Sequence, residues 1–160
     1  MRDIFDDCDI LFEEEDINLE RLLDVFNTKS FEARQIAESI LIFRGLKNAV
    51  SITIDDRSGT LQFRTKTKLR ANFRKEYLGS FIEHLNTQHN CSSFYHHTDD
   101  DGADYLCGSA FLIYHLGLSL NLLYYFVLTF VSSFIEGCRI DEDRDFFDLM
   151  DLEQFPDKIS

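Results

Sequence analysis

Two imidazoles and four carboxylates fall within nine positions, His96 to Asp104, in the run His96-His97-Thr98-Asp99-Asp100-Asp101-Gly102-Ala103-Asp104. Closely spaced carboxylates are how a calcium loop ligates its ion, and imidazole suits zinc. A calcium loop also needs a bidentate Glu at its twelfth position, and counting from Asp99 that position is Ala110. Asp and Gly equally build ordinary hairpin turns, because Asp tolerates left-handed backbone. A plain turn without metal is the expectation. Adjacent residues on a strand point to opposite faces, so His96 and His97 cannot share one ion. His84 and His89 lie five apart on a helical segment, off the i, i+4 spacing of a zinc pair. His115, inside an apolar strand, reads as a core or interface residue rather than a general base.

Other chemistry is not spelled out. The chain has no GxSxG, no Walker loop, no GxGxxG and no Cys in a protease context. Cys8, Cys91, Cys107 and Cys138 are scattered without CxxC spacing, and Cys107 and Cys138 lie in apolar stretches where a free thiol is a small hydrophobe. No catalytic, cofactor-binding or metal residue is assigned, and an enzyme is not expected. The pattern that stands out is a basic stripe: Arg64, Lys66, Lys68 and Arg70 alternate along one segment, extended by Arg57, Arg74 and Lys75. It reads as a solvated strand face, or as a docking face for an acidic segment such as the chain's own tail or a partner's. It lacks the interleaved aromatics of a nucleic-acid binder.

The elements that must carry these residues follow from periodicity. Leu19, Leu22, Leu23 and Phe26 mark a helical face behind an Asn18 N-cap. Residues 31–43 fit a helix through Ile36 and Ile40, or a buried strand through Ile40-Leu41-Ile42-Phe43. Val50, Ile52 and Ile54 alternate with Ser51 and Thr53, and Asp55-Asp56-Arg57-Ser58-Gly59 turns the chain into a second alternating run to Arg70. A helix follows from about Arg74 to His89, with Tyr77, Leu78, Phe81, Ile82 and Leu85 inward. Ser92–Thr98 and Tyr105–Leu116 form another hairpin about the Asp-rich turn. Ser119 caps a last helix, Leu120 to about Gly137, that is apolar all round. The order α-(β)-ββ-α-ββ-α gives an α+β fold, an antiparallel sheet of about five strands with helices packed on it. A helix without a polar face needs cover on two sides. A homodimer supplies the second side, with Leu123, Phe126, Val127, Phe130 and Phe134 as the expected interface. Acidic arms folded over the helix are the monomeric alternative.

With 160 residues and 44% apolar content, the chain is one domain with a real core. The division expected is an acidic arm at 1–16, the domain at 17–140 and an acidic tail at 141–160. Residues 1–24 hold ten acids and two bases, and 136–160 nine acids and three bases, around a balanced centre. The net charge of −13 argues against nucleic acid and anionic membranes, and it suits fast association with a basic protein. The amino terminus lacks a signal-peptide layout. Residues 111–135 carry no Asp, Glu, Lys or Arg, but Gly117, Ser119 and Asn121 break the run, so a strand–turn–helix is expected rather than a membrane span. The reading is a cytoplasmic protein with no cofactor.

With that hairpin–helix–hairpin–helix order in place, the layout from about Ile17 to Ile140 resembles the YbjN family of proposed bacterial sensory-transduction regulators. The resemblance is carried by AVSITIDDRSGTLQFRTKTKLR, by KEYLGSFIEHLN and by the block ending in the apolar helix. It implies a fold similar to type III secretion chaperones, which are small, acidic, usually dimeric proteins that bind other polypeptides, and it carries over no catalytic residues. The leading function is a regulator or chaperone-like module acting through protein binding. The alternative is an acidic immunity or antitoxin protein blocking a basic toxin, and the third is an enzyme or metal-dependent protein with no identifiable site.

Overall fold

Asn18 sits in extended backbone, and its side-chain oxygen accepts from the Arg21 N–H at 2.9 Å, which opens α1, Leu19–Thr28, at the N-cap expected. The computed structural model describes residues 10–29, 31–42, 50–69, 71, 75–88 and 92–139, with side chains through 130. Around α1 the chain forms β1 (Leu11–Phe12), β2 (Ala33–Ile36), β3 (Ser39–Ile42), β4 (Val50–Asp55) and β5 (Thr60–Lys68). Next come α2 (Lys75–Gln88), β6 (Ser92–Thr98), β7 (Asp104–Ile113), β8 (Leu118–Ser119) and α3 (Leu120–Arg139).

The class is α+β. Six strands form one antiparallel sheet in the order β2-β3-β4-β5-β7-β6, and β1 pairs with β8 in a small second sheet. The expectation of about five strands misses β2. Residues 31–42, open between helix and strand, form a hairpin with Ile36 opposite Ser39 and a tight turn at Ala37, whose φ is 51°. β1 enters the fold earlier than the expected boundary at residue 17: Phe12 is buried, and the Leu120 N–H donates to the Ile10 carbonyl.

Alternation along each strand sorts the sheet into two faces. Ile40, Ile42, Val50, Ile52, Leu61 and Phe63 are fully buried on one of them, and this is the face that all three helices cover. α1 and α3 lie side by side on it, α1 over β2 and β3 and α3 over β5 and β7. Phe126 and Phe130 meet Phe63, while Tyr124 packs on Phe26 and Phe31 and donates its hydroxyl to the Val25 carbonyl at 2.9 Å. A second cluster, Leu78, Phe81 and Leu85 against Leu69, Phe94 and Leu106, seats α2 beside β6. Gly108 sits under it, where a Cβ would come within 3.0 Å of the Phe94 ring and 3.2 Å of the Thr65 methyl, so the close approach needs glycine. Among the described residues, no helix is long and apolar enough to cross a membrane.

Candidate docking face

β5 is the central strand that sets the site. Its odd positions from Leu61 to Leu69 are buried, so Arg64, Lys66 and Lys68 all emerge on the opposite face, which is helix-free among the described residues. Residues paired directly across antiparallel strands share a face. In register with Arg64 lie Ser51 on β4 and Ser109 on β7, with Ser93 next on β6. Lys66 is in register with Cys107 and then Tyr95, and Lys68 with Tyr105 and then His97. On the other side of Arg64, Gln62 faces Phe111 and Thr60 faces Ile113. Strands about 4.8 Å apart therefore place Tyr105 directly beside Lys68 and diagonal to Lys66, Tyr95 one strand further from Lys66, and Phe111 diagonal to Arg64.

The contacts bear this out. The Lys66 ammonium stands 4.8 Å over the Tyr105 ring, and the Arg64 guanidinium donates to the Gln62 side-chain oxygen at 3.2 Å. Phe111, Ile113 and Tyr95 are 64%, 59% and 44% exposed, which is large for side chains of this size on a packed sheet. Cys107 is buried beneath its neighbours, and desolvation pushes its thiol up, opposed by the nearby Lys66 charge. A thiol so placed packs as a small hydrophobe. Burial, and then the Asp99 carboxylate, raises the Tyr105 hydroxyl, and Asp101 contributes as well. Asp99 and Asp101 therefore border the face at one end and Asp55 at the other.

Both edges of the sheet are blunted by an asparagine from the adjoining helix. Asn86 of α2 donates to the Phe94 carbonyl at 2.9 Å and accepts from the Phe94 N–H at 2.7 Å on edge strand β6. Asn27 of α1 accepts from the Ala33 N–H at 3.0 Å on edge strand β2. Taking edge donors and acceptors this way discourages an added strand. What remains open is the face itself.

Of the four stripe residues, Arg64, Lys66 and Lys68 share one face as expected, and Arg70 lies outside the described residues. Of the expected dimer interface, Leu123, Val127 and Phe130 are instead buried in the chain's own core and Phe126 rests on Phe63. Within the chain, α1 supplies a second side of cover for α3, the place that a partner copy was expected to take. The Phe134 side chain lies outside the described residues. His115 is not in a strand or a core; it follows β7 in a turn, is 64% exposed at its side chain, and pairs with Glu14 at 3.0 Å.

The Asp-rich segment is a turn tied to itself. One Asp99 carboxylate oxygen accepts from the Asp101 and Ala103 N–H groups, at 3.1 and 2.8 Å. Asp104 turns to the other face, where it accepts from Thr98 at 2.7 Å and from His96 at 2.6 Å. These contacts, Thr98 first, hold its carboxyl below the ordinary range. His96 and His97 fall on opposite faces, opposite Leu106 and Tyr105 respectively. Among the described residues, no group of three or more His, Cys, Asp or Glu is placed to hold a metal ion.

Sequence reasoning misses Tyr95, Tyr105 and Phe111 as neighbours of the stripe. On its own strand the stripe has no aromatic on its side, since Phe63 faces the core; β7 and β6 bring them alongside, and only strand order and register reveal it.

No family model matches the chain, and no curated relative matches it. Its structure is similar to that of YbjN from E. coli, described as a proposed transcription regulator. The TM-score is 0.68 at 12% identity, over 84% of this chain and 96% of that one. At that identity the likeness establishes a shared fold and nothing finer.

Proposed function

We propose that this chain is a non-catalytic protein-binding module that takes an acidic polypeptide segment on its helix-free sheet face. The observation that carries the reading is the one-sided cover of the sheet. Among the described residues the three helices lie on one face, and the other presents Arg64, Lys66 and Lys68 near exposed Tyr95 and Phe111. Cations interleaved with aromatic rings and an aliphatic side chain suit a segment that mixes carboxylates with apolar side chains. The fold shared with a proposed transcription regulator is compatible with a regulatory role played through such contacts. Phe111 and Ile113, exposed on this face, offer apolar contacts that the side chains of an acidic peptide can match and a phosphate backbone cannot, so an acidic peptide is favoured over RNA.

The test compares the wild type with Arg64→Glu/Lys66→Glu/Lys68→Glu as bait in a native lysate, at low and high salt. Proteins with exposed acidic segments should be retained by the wild type, released by salt, and lost from the charge-reversed bait while its melting temperature holds. Retention of the same proteins by both baits, or enrichment of RNA alone, overturns the reading.

A further inference from the structure

We propose that the first occupant of this face is the chain's own segment from Asp141 to Asp157, which folds back as an intramolecular ligand and must be displaced by a partner. The inference rests on the docking reading above. The segment reads DEDRDFFDLMDLEQFPD, with eight acids and one base, and its acids are separated by Phe146-Phe147, Leu149-Met150 and Leu152. This is the complement of the face, residue type for residue type: carboxylates for Arg64, Lys66 and Lys68, and apolar side chains for the exposed Tyr95, Phe111 and Ile113.

Position agrees with chemistry. α3 ends at Arg139 and contacts α2, which packs on edge strand β6. The open face begins around that edge, at Tyr95 and the row that leads to Cys107 and Lys66. The 18 residues 140–157 are long enough to span up to about 60 Å, against about 10 Å between a sheet and its packed layer and about 4.8 Å per strand crossed, so the acidic–apolar stretch has the length to reach the cations. The amino-terminal acids are the weaker candidate. Phe12 and Ile17 are buried on the helix-covered side, and Glu14 is engaged by His115, which anchors that arm on the other face. Tethering makes the tail a strong competitor, because a linked segment of this length acts at an effective concentration in the millimolar range.

The test uses full-length protein throughout. Carbodiimide joins a lysine amine to a carboxylate that touches it, so Lys66 or Lys68 should cross-link to the Asp145–Asp157 peptide at low salt and not at high salt. A mixture of isotopically light and heavy protein assigns each cross-link to one chain or two. In parallel, a labelled peptide with the sequence of residues 141–157 is titrated into the wild type and into Asp145→Asn/Asp148→Asn/Asp151→Asn. Same-chain cross-links, with peptide binding at least about ten-fold tighter in the neutralised variant, are the expected result. Equal binding by both proteins without cross-links retains the docking face and removes the tail as its occupant. Mixed-isotope cross-links overturn the proposal in favour of a second copy's tail. Absence of peptide binding by either protein overturns the docking reading as well.

Discussion

Ala37 carries the one positive φ of a non-glycine residue among those described, 51°, at the turn of the β2–β3 hairpin. Left-handed backbone costs an L-residue about 1–2 kcal/mol, and glycine is free of that cost but loses about 0.5–1 kcal/mol more entropy on folding. Ala37→Gly should therefore raise stability by about 0.5–1 kcal/mol in chemical denaturation, and Ala37→Val should lower it. The same residue explains why this hairpin is illegible in the sequence. Ile36-Ala37-Glu38-Ser39 holds none of the Asn-Gly or Asp-Gly pairs that mark a two-residue turn, so residues 31–43 fit helix and strand equally. Asn18, by contrast, is legible, because an N-cap is a local device and its hydrogen bond to Arg21 spans three positions.

At the scale of elements, α3 shows where periodicity stops being informative. Its sequence is apolar on every side, which establishes that it is covered twice and leaves open by what. The cover is the sheet through Phe63 on one flank and α1 through Val25 and Phe26 on the other, while Leu122 and Tyr125 are left 47% and 58% exposed. Phe130→Ala should thus cost about 3–5 kcal/mol as a core deletion, without a change of oligomeric state. Leu122→Asp with Tyr125→Asp should keep the fold, with loss of about 1 kcal/mol at most, because neither side chain is a core member. If homodimers form through this part of α3, the double variant should return monomer in light scattering, since among the described residues these are the large apolar side chains that the helix leaves exposed. The hairpins β4–β5 and β6–β7 were readable for the opposite reason. Their alternation and Asp/Gly turns are local signals, and their bounds differ from those expected by only a few residues.

For the molecule as a whole, the sequence exposes the basic stripe but not the face it belongs to. That face exists because β7 inserts between β5 and β6, bringing residues some forty positions apart into register. The same insertion locks the far end of the sheet. The Tyr114 N–H donates to the Gly59 carbonyl at 2.9 Å, and its hydroxyl donates to Asp56 at 3.0 Å, fastening the end of β7 to the β4–β5 turn. Burial first, and then the hydrogen bond to Asp56, pushes this hydroxyl up to about 12 from its ordinary value near 10. Tyr124, in the core between α3 and α1, is raised by burial as well. The folded state thus holds both protons where the unfolded chain would release them. Below pH 10 that stabilisation is fully present, and it is lost as pH rises from about 10 through about 12. Urea midpoints should accordingly be flat from about pH 8 to 9.5 and fall steeply above 10. Tyr114→Phe is expected to be less stable near neutrality, having lost the bond to Asp56, yet to fall less steeply above pH 10. An alkaline slope unchanged by that substitution would mean that the Tyr114 proton is not what ties the two ends together.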